Sequence, residues 1–189
     1  MSAAAFLARL TAALDGAGVP YMVAGSFAST FHGTPRTTQD VDVVVVLNRQ
    51  SLTQLLSSLP DDAYYVSPEA ALEALQQRRQ FNIIDLATGW KADLIVRKPR
   101  PFSVAEFERR IRATVLGVPV WMASAEDVVI SKLEWASLGG GSERQLRDVV
   151  GVLERRPRDT VYIAGWVQRL GLDALWHEAQ RLARPAGPT

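Results

Sequence analysis

The sequence contains no cysteine, and only 2 of its 189 residues are histidine. The absence of cysteine excludes disulfide bonds, a thiolate nucleophile and cysteine-ligated zinc. Two histidines are too few for a metal site built from several imidazole ligands. A metal ion bound by this protein would therefore have to be held by carboxylate oxygens.

Long hydrophobic runs are also missing. The strongly apolar stretch 43–47 is far shorter than the roughly 20 residues that cross a bilayer, and no basic segment precedes an apolar run at the N-terminus. We therefore expect a cytoplasmic protein without a membrane partner. Hydrophobic residues make up 48% of the sequence and charged residues 22%, which is typical of a globular protein and excludes a disordered chain.

The sequence lacks a strong excess of either charge, since 21 Lys+Arg stand against 20 Asp+Glu. This balance hides a difference between the two halves of the chain. Residues 1–94 contain 6 basic and 9 acidic side chains, whereas residues 95–189 contain 15 and 11. The division is compatible with a cation site in the first half and a polyanion site in the second, although small offsets of this kind often carry no meaning.

The periodicity of the apolar residues predicts a chain in two parts. The first predicted helix has four apolar residues at helical spacing: Phe6, Leu7, Leu10 and Leu14. Short β-rich runs and helices follow, and from Ser124 the pattern is entirely helical, beginning with a capping box. We therefore predict an α/β (α+β) fold, with a mixed β-sheet and flanking helices over residues 1–123 and a helical region that packs on it over residues 124–189.

Two aspartates open the most apolar predicted strand. Asp40 and Asp42 alternate along the chain, so their side chains leave the same face of the strand about 7 Å apart. In isolation this pattern is typical of the solvated end of a strand. The valines that follow, however, predict a strand buried on both faces, where two like charges favour a bound cation or a basic partner.

A third carboxylate, Asp93, opens another apolar strand in a predicted hairpin over residues 81–96. On neighbouring strands, Asp40, Asp42 and Asp93 could form an oxygen-rich site for Mg²⁺. Asp85 is a weaker candidate because it lies on the other strand of the hairpin.

Gly25 and Ser26 stand at a predicted turn between a strand and a helix. Glycine lets backbone N–H groups approach a phosphate closely, and the N-terminus of a helix favours negative charge. A purely structural turn is the commoner explanation of such a pair. Along the chain, this possible phosphate-binding turn is followed by the strand with Asp40 and Asp42 and then by the strand with Asp93. If these segments meet in the fold, the carboxylates would hold a divalent metal between a triphosphate and an attacking hydroxyl.

Taken together, these residues resemble the nucleotidyltransferase superfamily with the polymerase-β-type fold. The matching residues are Gly25, Ser26, the stretch 32–42 that ends in Asp-x-Asp, and Asp93. Within the superfamily, residues 126–133 and 147–150 make the chain most similar to the AbiEii-type toxin nucleotidyltransferases. The chain departs from many of these relatives in having Gly-Ser where they have Gly-Gly, and in being shorter.

The resemblance implies an enzyme that depends on Mg²⁺ or Mn²⁺, transfers a nucleoside monophosphate from an NTP to an acceptor hydroxyl and releases pyrophosphate. It implies the following site residues: Asp40, Asp42 and Asp93 as catalytic metal ligands, Gly25, Ser26, Arg36 and Lys132 for nucleotide binding, and Lys132 and Asp148 as further catalytic residues. The AbiEii-type likeness also implies a bacterial toxin that acts on RNA, with tRNA as an acceptor and a cognate antitoxin as a partner.

Helical periodicity gives independent expectations for some of these residues. Lys132 falls inside an apolar arc of its helix formed by Val128, Val129, Leu133, Trp135 and Ala136. A lysine there either extends its ammonium to water or directs it inward, toward a triphosphate. Asp148 lies away from the apolar face of its helix, which predicts an exposed or boundary position. Arg36 either contacts the triphosphate or pairs with a neighbouring aspartate.

Two alternative functions share these residues. A small-molecule nucleotidyltransferase, of the kind that modifies aminoglycosides, would use the same metal and phosphate groups with another acceptor pocket. A non-catalytic regulator or antitoxin would keep the fold as a binding module, although three mutually repelling carboxylates argue against it. A set of basic residues either follows an RNA backbone or forms solvated surface: Arg97, Lys98, Arg100, Arg109, Arg110, Arg112, Arg155, Arg156 and Arg158.

Overall fold

The computed structural model describes residues 2–139, 143–155 and 159–183. By their mutual contacts the residues divide into two compact units. The first, here called the sheet unit, comprises Met1–Ser26 and Thr38–Met122, and the second, the helical unit, comprises Phe27–Thr37 and Ala123–Thr189. The sequence pattern does not predict that residues 27–37 belong with the helical unit.

The described strands form one mixed sheet of seven strands in the sheet unit. They are β1 (Tyr21–Val23), β2 (Asp40–Val45), β3 (Tyr64–Tyr65), β4 (Gln80–Asp85), β5 (Lys91–Val96), β6 (Ile111–Val115) and β7 (Val118–Met122). Their order is β3-β4-β5-β2-β1-β7-β6, with β2 parallel to β5, β1 parallel to β7 and the other neighbours antiparallel. The predicted α/β fold with a mixed sheet is confirmed.

Nine helices occur in the described part of the chain. They are α1 (Ala3–Gly16), α2 (Gly25–His32), α3 (Arg49–Ser57), α4 (Pro68–Gln77), α5 (Pro101–Glu108), α6 (Ala125–Leu138), α7 (Glu143–Arg155), α8 (Thr160–Leu170) and α9 (Asp173–Leu182). As the capping pattern predicts, the side chain of Ser124 caps α6 by accepting a hydrogen bond from the Asp127 N–H. Among the described helices, none is long and apolar enough to span a bilayer.

The apolar run of β2 lies at the centre of the sheet, between β5 and β1. Val41, Val43 and Val45 are at most 1% exposed, and β-branched side chains suit a strand that has neighbours on both sides. The four apolar residues predicted for α1 are buried as well. Each fully buried apolar side chain contributes about 1.5–3 kcal/mol to the stability of the fold. This packing therefore stabilises the sheet that carries the acidic residues.

The structure corrects the predicted elements after β5. The sequence pattern predicts a helix over residues 104–112 and a strand pair over 115–122. Instead α5 ends at Glu108, and residues 111–115 form β6, which pairs with β7 across a turn in which Leu116 and Gly117 both have positive φ. Such a turn matches the twist of a hairpin. The pattern failed because β6 is an edge strand and lacks a clear alternation of apolar and polar residues.

Candidate active site

Side chains from β2, β4 and β5 meet on one face of the sheet, here called the carboxylate face. In the register of the parallel pair, Asp40 lies opposite Lys91, and Asp42 lies opposite Asp93. On the other side of β5, Asn82 lies opposite Asp93. Because residues two apart along a strand point to the same side, all five side chains share this face. Three predicted site carboxylates thus occupy adjacent positions on neighbouring strands.

Lys91 supplies the positive charge of the carboxylate face. Its Nζ lies 3.2 Å from Asp93 Oδ1 and 3.6 Å from Asp40 Oδ1, and the Asn82 side-chain amide donates a hydrogen bond to the same Asp93 oxygen. Burial lowers the pKa of Lys91, but the hydrogen bonds and charges of Asp93 and Asp40 outweigh it, and this pKa lies above its ordinary value. The sequence analysis missed Lys91, although its position two residues before Asp93 places it on the same face.

Asp42 lies against the turn that connects β1 to α2. The Ala24 N–H donates to the Asp42 carbonyl oxygen over 2.9 Å, and the Ser26 N–H donates to Asp42 Oδ2 over 3.4 Å. Gly25 has a φ of 54°, and a Cβ at this position would overlap the carboxyl group of Asp42 and lie 2.8 Å from its Cβ. Glycine is therefore required here both for the left-handed backbone and for the close approach of Asp42.

Replacement of Gly25 by alanine should weaken the site more than it weakens the fold. The left-handed conformation alone costs a non-glycine residue roughly 1–2 kcal/mol, and the added methyl group also displaces the Asp42 carboxylate. We expect the nucleotidyl transfer that the sequence resemblance implies to fall by about a hundredfold, since displacements of about 1 Å have such effects. The measurement is the initial rate of label transfer beside the free energy of unfolding.

Gly18→Ala is the matched control for this variant. Gly18 has a similar φ of 62°, but a Cβ there meets no atom within 4 Å. It should lose comparable stability and keep its transfer rate. Equal rates for the Gly18 and Gly25 variants would contradict a role for the contact between Gly25 and Asp42.

The donor groups of the carboxylate face suit a hard divalent cation, because Mg²⁺ and Mn²⁺ prefer carboxylate oxygens. In the conformation of the described residues, no three acidic or histidine side chains are arranged to hold a metal ion. Asp40 and Asp93 share the ammonium of Lys91 instead. This ion pair shows that the two carboxylates lie close enough to share one cation. The chemistry of these oxygen donors therefore suits a divalent metal, which would compete with the Lys91 side chain, 33% exposed, for Asp40 and Asp93.

The other predicted site residues form a second cluster, within the helical unit. Lys132 of α6 and Asp148 of α7 make an ion pair with a distance of 2.8 Å from Nζ to Oδ2, and both side chains are 8% exposed. Arg36 Nε lies 3.3 Å from Asp148 Oδ1, and the Ser29 hydroxyl donates to Asp148 Oδ2 over 3.1 Å. Burial raises the pKa of Asp148. The hydrogen bond and charge of Lys132, the charge of Arg36 and the hydrogen bond of Ser29 outweigh burial, and this pKa lies below its ordinary value.

These contacts distinguish the alternatives that the sequence left open. The ammonium of Lys132 is directed inward and pairs with Asp148, and Arg36 also pairs with that aspartate. The expected boundary position of Asp148 agrees with the intermediate burial of this residue, but its side chain is only 8% exposed and pairs with cations from other segments. Trp135, placed by the helical wheel in the buried arc beside Lys132, is 61% exposed. The buried surface of α6 extends over its acidic first turn instead, where Asp127 accepts a hydrogen bond from the Tyr162 hydroxyl.

A close approach between residues 33–34 and α7 accompanies the Arg36–Asp148 contact. A Cβ at Gly151, in the middle of α7, would lie 2.7 Å from Thr34 Oγ1, and a Cβ at Gly33 would lie 2.8 Å from the Val152 nitrogen. A glycine inside a helix costs about 1 kcal/mol relative to alanine. The close packing of the two segments gives a physical reason for its presence here.

The remaining candidates have structural partners or form a separate cationic group. Asp85 is 2% exposed and pairs with Arg9 of α1, while His32 bonds to the carbonyl oxygen of Ala123. Two of the predicted basic residues, Arg156 and Arg158, lie outside the described residues.

Three arginines of the sheet unit gather around two aromatic rings. The Arg110 guanidinium lies 4.3 Å from the ring centroid of Phe107 and 4.9 Å from that of Trp121, and Arg112 lies 4.1 Å from Trp121. Arg97 lies 5.5 Å from Phe107. Among the residues that the structure describes, none of the three arginines has an ion pair with a carboxylate. Burial and the charges of Arg112 and Arg97 lower the pKa of Arg110.

Comparison with known proteins finds similarity at the level of tertiary structure. No family model and no sequence among curated proteins matches the chain. An antigenic nucleotidyltransferase-like protein from Paracoccidioides brasiliensis matches with a TM-score of 0.54 at 18% identity, over 90% of each chain. ANT(2")-Ia in complex with adenylyl-2"-tobramycin matches with a TM-score of 0.55 at 13% identity, over 92% of this chain and 97% of that one. The lincosamide antibiotic adenylyltransferase LnuA, lincomycin-bound, matches with a TM-score of 0.53 at 10% identity, over 82% and 99%. The chain therefore has the nucleotidyltransferase fold.

Proposed function

We propose that the protein is a metal-dependent nucleotidyltransferase, which transfers a nucleoside monophosphate from an NTP to an acceptor hydroxyl and releases pyrophosphate. The observation that carries this proposal is the carboxylate face, where Asp42 and Asp93 are register partners and Asp40 lies one position along the same face. The nucleotidyltransferase fold supports it, as does the turn at Gly25 that adjoins Asp42.

In this proposal the carboxylates of Asp40, Asp42 and Asp93 hold Mg²⁺ or Mn²⁺, and Asp93 is assigned to the side of the acceptor. The bound metal would neutralise the triphosphate and polarise the reacting oxygens. Gly25 and Ser26, at the start of α2, are assigned to phosphate binding through their backbone N–H groups. Positioning and electrostatics account for most catalysis of phosphoryl transfer, so a chain without cysteine is adequate for the reaction.

For the helical unit, we propose that Lys132 and Arg36 contribute positive charge to nucleotide binding, as the sequence resemblance implies. Asp148 would then act on both cations as a positioning residue, because one carboxylate pairs with each of them. The hydrogen bond from Ser29 holds the same carboxylate. This arrangement would keep the two cationic groups in fixed positions at neutral pH.

RNA, with tRNA as the leading candidate, is our first proposal for the acceptor, in a bacterial toxin of the AbiEii type with a cognate antitoxin. Besides the sequence resemblance, the cluster of Arg97, Arg110 and Arg112 supports it. Three neighbouring guanidiniums without carboxylate partners in the described part of the chain can neutralise backbone phosphates. Such an interaction would weaken strongly with increasing salt.

A small-molecule acceptor is the second candidate, and the structural neighbours favour it. Both antibiotic-related neighbours match over nearly their full lengths, 97% and 99%. One of these structures contains adenylyl-2"-tobramycin and the other contains lincomycin. An aminoglycoside or lincosamide hydroxyl is therefore an alternative acceptor for the same nucleotidyl transfer.

Label transfer tests the proposal directly. The purified protein is incubated with each α-³²P-labelled NTP, Mg²⁺ or Mn²⁺, and either total RNA or a panel of aminoglycosides and lincosamides. We expect metal-dependent transfer of label to one acceptor class, with release of unlabelled pyrophosphate. Reactions with EDTA, and with γ-labelled NTP, are the controls.

The acceptor that becomes labelled distinguishes the two candidates. Label in the tRNA band supports the RNA acceptor, and label on an antibiotic supports the small-molecule enzyme. If no acceptor is labelled and no NTP binds in an equilibrium assay, the protein is not a nucleotidyltransferase and the regulator alternative gains support.

A further inference from the structure

We infer that Lys91 is a built-in counter-cation of the carboxylate face, which competes with the divalent metal for Asp40 and Asp93. This inference rests on the proposed function, since it takes the same carboxylates as the metal ligands. Its consequence is that the protein binds free metal weakly and favours metal that arrives with a nucleotide.

The contacts of Lys91 place its charge between two of the three proposed ligands. Its Nζ is 3.2 Å from an oxygen of Asp93 and 3.6 Å from an oxygen of Asp40. Asn82 donates to the same oxygen of Asp93. One ammonium and one amide thus contact oxygens that a metal ion would use, so Lys91 and the metal compete for the negative charge of Asp40 and Asp93.

The positive charge of Lys91 offsets repulsion among the three carboxylates. Asp42 and Asp93 lie side by side on adjacent strands, with Asp40 on the same face, and like charges at these distances repel each other. The ammonium of Lys91 reduces this repulsion and holds the carboxylates of Asp40 and Asp93 in place when no metal is bound. A bare divalent ion must displace the ammonium, whereas a metal bound to a triphosphate gains additional contacts from the phosphates.

The side chain of Lys91 has the freedom that displacement requires. It is 33% exposed, and a lysine side chain has four methylene groups through which the ammonium can move toward water. Lys98, also in the sheet unit, is exposed and is not part of the carboxylate face. It therefore provides a matched control for the loss of a lysine.

The first test measures binding of Mn²⁺ alone, without nucleotide, from the electron paramagnetic resonance signal of free Mn²⁺. We expect Lys91→Gln to bind Mn²⁺ about tenfold more tightly than the wild type, because the competing charge has been removed. Lys91→Arg, which keeps the charge, and Lys98→Gln should both remain near the wild-type affinity. The melting temperature of metal-free Lys91→Gln should also be lower, with the deficit reduced by saturating Mn²⁺.

A second measurement uses the wild-type protein and so does not depend on the folding of a variant. Lysines are acetylated with a limiting amount of reagent, with and without Mn²⁺ and a non-hydrolysable NTP analogue, and quantified by mass spectrometry. We expect the ligands to raise the acetylation of Lys91 several-fold relative to that of Lys98, because the displaced ammonium becomes accessible.

The outcomes separate this inference from the proposed function. If wild type and Lys91→Gln bind Mn²⁺ equally, and Lys91 acetylation does not change, the inference is wrong while the metal site stands. Weaker Mn²⁺ binding by Lys91→Gln would also overturn it. If no variant binds Mn²⁺, with or without nucleotide, both the inference and the proposed metal site are wrong.

Discussion

Replacement of Asp42 by asparagine is expected to reduce nucleotidyl transfer by about 10²–10³-fold or more while the protein remains folded. Asp42 belongs to the proposed metal site and also borders the proposed phosphate-binding turn. It lies opposite Asp93 in the sheet and contacts the turn at Gly25. Asparagine has nearly the same shape but removes the negative charge that attracts a divalent cation. The measurement is the initial rate of label transfer at saturating Mg²⁺ and NTP.

Stability distinguishes this effect from general damage. Removal of one of three neighbouring negative charges should leave the free energy of unfolding unchanged or slightly raised, since repulsion between the strands decreases. Asp61→Asn, at an exposed aspartate of the same unit, is the control and should keep the wild-type rate. A folded Asp42→Asn protein with the wild-type rate would refute the assignment of this carboxylate.

Replacement of Lys132 by methionine is expected to lower the free energy of unfolding by about 2–3 kcal/mol. Methionine fills a similar volume, but it leaves Asp148 nearly buried without its closest cation, 2.8 Å away in the wild type. A nearly buried carboxylate that keeps only Arg36 and Ser29 as partners among the described residues is more destabilising than the loss of a surface pair. Chemical denaturation followed by circular dichroism measures the change.

Two further variants test the physical cause. The double variant Lys132→Met with Asp148→Leu removes both charges and should recover part of the lost stability, because a buried pair can be replaced by apolar side chains at little cost, although Arg36 and Ser29 lose their contacts with Asp148. Arg147→Met breaks an exposed pair on the same helix, whose side chains are 78% and 93% exposed, and should cost at most about 0.5 kcal/mol. Equal losses in Lys132→Met and Arg147→Met would contradict the buried ion pair.

The dependence of the unfolding free energy on acidic pH also tests the ion pair between Lys132 and Asp148. The pKa of Asp148 is lower in the folded protein than its ordinary value. Its ionised form therefore stabilises the fold above about pH 4, the ordinary aspartate value, and this contribution is lost as the pH falls through the lower folded pKa. Unfolding free energies between pH 7 and pH 2 should fall less steeply in Asp148→Asn than in the wild type.

Patterns within single segments made much of the fold predictable. The alternation of Asp40 and Asp42 before a valine run predicted a central strand, and the capping residue Ser124 predicted the start of α6. These features are local, because burial on both faces and helix capping depend on residues a few positions apart. The same locality explains the error at β6, whose residues lie at an edge of the sheet.

The partners of the candidate site residues could not be predicted in this way. Lys91 was overlooked because its ion pair with Asp40 joins two strands that are far apart in the sequence. The partners of Asp148 were not predicted because a helical wheel shows only its own helix, whereas Ser29 and Arg36 reach this carboxylate from residues 27–37. The spacing of apolar residues describes one helix or strand, and it gives no information about which other segments pack against that helix or strand.

The sequence by itself determined which groups are available for chemistry: carboxylates instead of thiols or imidazoles, on apolar strands beside a glycine turn. Only the tertiary structure decided which charges neutralise one another, with Lys91 between Asp40 and Asp93 and with Lys132 against Asp148. The physical reason is that ionic and hydrogen-bonded contacts depend on distances of about 3 Å. Such distances are set by strand register and helix packing between segments far apart in the chain.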